Sequence, residues 1–202
     1  MKKTFYHLLT GILLITACSN PQTSNNDHDT EATDKGNAYA DSVNQGLKTD
    51  TLKGSPQRVT VITIGQTHMH LFYYAPGVKG RIIWGGLVPY NQVWVTGAHQ
   101  CTRLELNEPI LINNKKIPAG IYALFTIPGE KEWTFILNKN HEQHLADDYK
   151  QEEDVMRFTV TPASTNMVQR LTWKLNQTGT HTGSISMEWE KIKIEVPFTT
   201  TK

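Results

Sequence analysis

Two pairs of side chains in this sequence have the spacing of metal ligands. His68-x-His70 and His99-x-Cys101 each place donor atoms two residues apart, and on an extended strand that period sends both side chains to one face. If the two segments were neighbours, His68, His70, His99 and Cys101 would form a nitrogen and sulfur set suited to zinc or copper. The same spacing also describes a solvated strand face with hydrogen-bonded imidazoles and a buried thiol, so no cofactor is required by it. His141-Glu142-Gln143-His144 has its histidines three apart, whereas the helical zinc-protease motif needs them four apart. The carboxylates Asp147, Asp148, Glu152, Glu153 and Asp154 do not follow the spacing of a calcium-binding loop. No nucleophile elbow, Walker loop, C-x-x-C pair or dinucleotide fingerprint occurs, and no residue is assigned a catalytic role.

A second kind of chemistry is written between Tyr73 and Thr102. Tyr73, Tyr74, Trp84, Tyr90 and Trp94 are interleaved there with Lys79, Arg81 and five glycines. Aromatic faces beside cationic donors suit sugars or acidic groups. The candidate ligand-binding residues are Tyr74, Lys79, Arg81, Trp94, Thr96 and His99, with sandwich core as the competing role for the aromatics. The partner expected is a small molecule, a glycan or an envelope protein. With 20 Lys plus Arg against 19 Asp plus Glu and no basic run beyond Lys115-Lys116, nucleic acid is not expected.

The N-terminus carries a location signal. Lys2 and Lys3 precede an apolar run from Leu8 to Ile15, followed by Ile15-Thr16-Ala17-Cys18. This is the pattern of a cleavable lipoprotein signal peptide over residues 1–17, too short to span a bilayer. Cys18 would then carry palmitate-type acyl chains, and more than one chain makes membrane attachment stable. Ser19 in place of an acidic residue favours the outer membrane of a Gram-negative envelope. Residues 18–55 are polar, with Tyr39 their only aromatic, and are expected to form a disordered linker reaching about 35 Å. Once Cys18 is lipidated, Cys101 is the only thiol left.

Residues 56–202 read as a single β-rich domain. Strand candidates rich in β-branched and aromatic residues recur at Val59–Ile64, Thr67–Tyr74, Arg81–Trp84, Gln92–Val95, Thr102–Leu106, Pro109–Ile112 and Lys116-Ile117. They continue at Ile121–Ile127, Glu132–Leu137, Val155–Val160, Val168–Leu175, Ser184–Trp189 and Lys191–Val196. Asn113-Asn114, Pro118-Ala119-Gly120 and Pro128-Gly129 are turn formers, and such short links imply antiparallel pairing. His141 to Asp154 holds a short helix or a long loop. The architecture expected is an all-β antiparallel sandwich, with barrel-like closure as the alternative.

Several runs carry a resemblance: Lys79-Gly80-Arg81, Gly85-Gly86-Leu87-Val88-Pro89-Tyr90, Trp94-x-Thr96-Gly97-Ala98 and Pro118-Ala119-Gly120-x-Tyr122-x-Leu124-Phe125-Thr126-Ile127-Pro128-Gly129. Glu132-Trp133-Thr134, Asn138-Lys139 and Asp154-Val155-x-Arg157 extend it. In these the chain resembles the domain of unknown function 2911 family of bacterial envelope proteins. The resemblance implies a domain boundary and an envelope location, and no activity. Val95 and His99-Gln100 stand where that family usually has Arg and a polar pair such as Asn-Glu, so an ion-paired site is not implied here. The function expected is that of a lipid-anchored cell-envelope protein whose β domain binds a ligand or partner without turnover. A metal-dependent hydrolase or other metal-binding enzyme is the alternative.

Overall fold

The computed structural model describes residues 26–201. Its elements in chain order are α1 (Asn26–Asn44), β1 (Gln57–Ile64), β2 (Thr67–Tyr74), β3 (Thr102–Leu106), β4 (Ile110–Ile112), β5 (Lys115–Ile117), β6 (Gly120–Ile127), β7 (Trp133–Asn138), β8 (Asp154–Val160), β9 (Ala163–Gln177) and β10 (Thr182–Thr200). Two antiparallel sheets form, with orders β1-β2-β3-β6-β7-β8 and β5-β4-β10-β9. They face each other as a sandwich and do not close into a barrel.

Local chemistry sets the hairpins. Gly65-Gln66 link β1 to β2 in register Ile64↔Thr67, with Gly65 at φ 60°, the two-residue turn with glycine first that suits right-twisted strands. Asn113 and Asn114 link β4 to β5, and both adopt left-handed φ, 47° and 61°, as the mirror-image type I turn requires. Along β2, Met69, Leu71 and Tyr73 are buried while His68, His70, Phe72 and Tyr74 face outward. The core lies between the sheets, with Leu71, Leu104, Leu124 and Phe135 of one sheet against Trp173, Met187, Ile194 and Val196 of the other. A smaller apolar cluster of Val95, Cys101, Ala123, Phe125 and Ile136 lies on the outer face of β6 and β7, beneath the loops carrying Val93 and Ala146.

Three expectations need correction. The disordered linker predicted over residues 18–55 is folded from Asn26 onward, while Cys18 and the signal peptide lie outside the described residues. Gly36, Ala40 and Val43 share one buried stripe of α1, spaced i, i+4, i+7, and a Cβ at Gly36 would sit 2.1 Å from the Gln57 carbonyl oxygen. The segment is anchored by charge rather than by apolar area, which is why its composition hides it. Asp41 pairs with buried Arg58 at 2.5 Å, and Asp50 with fully buried Arg170 at 2.6 Å. Asn44 accepts from the Arg170 backbone N–H at 2.7 Å and returns a bond to its carbonyl at 2.9 Å. Helix α1 thereby packs on both β1 and β9.

Second, Arg81–Trp84 and Gln92–Val95 are not strands. They belong to one irregular excursion between β2 and β3, tied to the sheets by single bridges such as Trp94↔Thr126. Third, Ser184–Trp189 and Lys191–Val196 are one strand, interrupted in register around Glu190, whose φ is 55°.

Candidate functional site

The excursion between β2 and β3 crosses the end of the sandwich and encloses an open cavity of about 660 Å³, a volume that accommodates a small molecule. Its lining takes in Pro76, Gly77, Lys79 and Arg81 as the chain leaves β2, and Val93 to Val95 and Gly97 to His99 later in the same excursion. Leu145 to Asp147 from the polar loop and Lys53 to Ser55 from the N-terminal segment complete the rim, and Trp189 of β10 contributes from the core.

Behind the cavity, four indoles pack together. Trp94 stacks on Trp189 at 5.7 Å between centroids and 23° between planes, and Trp84 meets Trp133 edge to face at 4.8 Å. Trp189 is fully buried, and its indole N–H has no acceptor among the described residues. Trp173 instead donates to the Thr96 carbonyl at 3.0 Å.

Backbone conformations of rare type gather around this cavity. Lys79, Thr96, His99 and Leu145 have φ of 49°, 50°, 60° and 51°, a region that costs a non-glycine residue about 1 to 2 kcal/mol and is most unusual for a β-branched one. At Thr96 the conformation is over-determined, because its carbonyl accepts from Trp173 and Thr102 while its hydroxyl bonds Thr126 Oγ1 at 3.0 Å. His99 and Leu145 are joined by a hydrogen bond from the Leu145 N–H to the His99 carbonyl, 2.8 Å.

The arginine of the rim is satisfied differently from the other arginines of the protein. Arg58, Arg103, Arg157 and Arg170 all pair with carboxylates. Arg81 donates only to the Gly77 and Val78 carbonyls, and Lys79 to the Leu52 carbonyl. The wall carboxylate, Asp147, is itself paired with His144 at 3.2 Å.

Of the six residues expected to bind ligand, Lys79, Arg81, Trp94 and His99 line the one cavity. Tyr74 lies beside it in a smaller pocket with Gln57 and Arg103, and its ring meets that of His99 edge to face at 5.2 Å. Thr96 is fully buried beneath the surface, so it shapes the loop and does not face the cavity.

The candidate metal set does not assemble. His68 and His70 adjoin, with Nε2 atoms 2.7 Å apart and the His68 Nδ1 2.7 Å from the Thr63 hydroxyl. Burial and the neighbouring His68 hold the His70 pKa down. His99 packs on Tyr74, six residues further along β2 than His68, which at about 3.3 Å per residue is roughly 20 Å away. Cys101 belongs to the outer apolar cluster, where its thiol donates to the His141 carbonyl and burial pushes its pKa up, favouring the protonated form. Among the described residues no group of three or more His, Cys, Asp or Glu is arranged to hold a metal ion.

The polar loop between β7 and β8 is irregular apart from a three-residue 3₁₀ turn, Gln151–Glu153. Its last carboxylate has a structural role: Asp154 accepts from Asn138, Tyr149 and Arg157 at 2.8, 2.8 and 3.0 Å. Desolvation first, then the bond to Asp154, pushes the Tyr149 pKa up to about 12. Sequence reading missed Lys53, Ser55, Leu145, Ala146 and Trp189 as cavity residues. Each lies far along the chain from the aromatic segment, and no local spacing connects them to it.

A family profile described as "Protein of unknown function (DUF2911)" matches residues 55–198. No curated protein and no solved structure matches the chain. The matched span takes in both sheets, the aromatic excursion and the Asn138, Asp154 and Arg157 network, and it begins after α1 and Asp50; the chain belongs to the DUF2911 family.

Proposed function

We propose that this protein is a lipid-anchored cell-envelope module whose β domain binds a small ligand, without turnover, in the cavity between the β2–β3 excursion and the Leu145–Asp147 loop. The observation that carries the reading is the convergence of Lys79, Arg81, Trp94 and His99 on one open space of about 660 Å³. Left-handed residues in its lining, Lys79, His99 and Leu145, support it, since strain retained by the surrounding structure concentrates at binding sites. The anchor half rests on Lys2, Lys3, the apolar run and Cys18, and the outer membrane is the location we favour.

Native mass spectrometry of the protein purified from its own membranes tests the binding half. A stoichiometric small-molecule adduct is expected on the wild type and absent from Ala98→Trp, which fills the cavity. An identical adduct on both, or none on either, would sink it. Fractionation of Cys18→Ala tests the anchor: the variant should leave the membrane pellet or retain its signal peptide.

A further inference from the structure

We infer that the ligand of this cavity is an amphiphilic acid, a single carboxylate on an apolar body; the inference rests on the cavity being a ligand site. The charge argument begins with Arg81. Four of the five arginines are neutralised by carboxylates, whereas Arg81 uses Nε and Nη2 on neutral carbonyls and its Nη1 meets no acceptor among the described residues. Lys53 and Lys79 line the same cavity and likewise have no carboxylate partner among the described residues. With Lys53, Lys79 and Arg81 against the one carboxylate of the lining, Asp147, the rim carries surplus positive charge. A guanidinium held in place by backbone carbonyls and presenting unused N–H groups is suited to a carboxylate.

The rest of the wall selects the body. Val88, Val95, Trp94 and Trp189 are apolar, and Leu87 and Leu145 stand 45% and 39% exposed. A polyhydroxylated sugar would need many side-chain donors and acceptors to replace its water, and Ser55 is the one hydroxyl side chain in this lining. Cations at the rim and hydrocarbon around them fit a head and a tail. A fatty acid and an aryl acid share that chemistry.

The test titrates the purified full chain with dodecanoate below its micellar concentration, with 3-phenylpropionate, with dodecanol and with glucuronate, following tryptophan fluorescence. Saturable one-to-one binding of dodecanoate or of phenylpropionate is expected, and whichever is tighter identifies the body. Dodecanol and glucuronate should bind at least about tenfold more weakly, and Arg81→Gln should weaken the acid roughly tenfold, the scale of one charge-assisted hydrogen bond. Because Arg81 also caps two carbonyls, Lys79→Gln serves as the second variant, and thermal melts confirm that both fold. Tighter binding of glucuronate, equal binding of dodecanol, or acid binding unchanged in both variants overturns the inference. If none of the four probes binds while the co-purified adduct still disappears in Ala98→Trp, the ligand class is wrong and the site stands. If the adduct test fails as well, both fall.

Discussion

The protein uses arginine in two neighbouring places for opposite ends. Around Arg170 the charge is met within the fold: Asp50 Oδ1 lies at 2.6 Å and the carbonyls of Leu52, Gly54 and Ala75 also accept, although Asp50 Oδ2 and Arg170 Nε have no hydrogen-bond partner among the described residues. Around Arg81, on the far side of Gly77, the acceptors are neutral and the charge is left uncancelled. The two regions touch, since Gly77 lines the cavity and a Cβ there would sit 2.4 Å from Asp50 Oδ2. Burial explains the difference. A buried guanidinium must be neutralised within the fold, whereas one at the mouth of a cavity can await a partner from solution.

The sharpest way to break that contrast is Arg170→Met. It strands Asp50, whose side chain is only 9% exposed, and breaking a buried pair from one side costs about 3 to 5 kcal/mol. Urea unfolding should show it, and a loss below about 1 kcal/mol would mean that the N-terminal segment is not held by this pair.

Alkaline pH probes the other arginine contact of α1. The Arg58 guanidinium lies 5.6 Å over the Tyr73 ring, and burial, partly offset by Arg58, pushes the Tyr73 pKa up to about 12. An unfolded tyrosine titrates near 10. The folded state therefore binds the proton more tightly between those values, and the contribution is complete below pH 10 and lost as pH rises through about 12. Two pKa units correspond to about 2.7 kcal/mol. Tyr73→Phe should lose less stability than the wild type across that window in denaturant titrations; identical slopes would count against a buried, neutral Tyr73.

Smaller effects are expected on the cavity side. His99→Gly removes the cost of a left-handed residue, φ 60°, and should raise stability by up to about 1 kcal/mol, minus the ring contact with Tyr74. Destabilisation would show that the loop needs the imidazole. Arg81→Gln should change unfolding free energy by less than about 0.5 kcal/mol. If it matched Arg170→Met, the two arginines would be alike and the contrast would collapse.

The sheets were largely legible in the sequence. Thr67–Tyr74 and Thr102–Leu106 read as strands to the residue, because each alternates around a buried face and ends at turn formers. Arg81–Trp84 and Gln92–Val95 have the same β-rich composition yet form an excursion, because their aromatic residues bury against the tryptophan cluster instead of along a ladder. Lys79, Arg81, Trp94 and His99 were legible as a site since one short segment carries them. Trp189 and Leu145 were not, because only tertiary folding brings them there. Helix α1 escaped notice for a related reason: its attachment depends on Arg58 and Arg170, and neither shows in the composition of residues 26–55.

The way α1 lies against both β1 and β9 separates two boundaries usually treated as one. The family profile begins at residue 55, and a chain cut there keeps every strand while uncovering the outermost strand of each sheet. Asn37, which donates to the Val59 carbonyl of β1, would be gone, leaving unpaired backbone of the kind on which strands of another molecule add. Such a shortened chain would also leave Arg58 and Arg170 without their carboxylate partners, Asp41 and Asp50. Self-association, not a smaller monomer, is its expected fate.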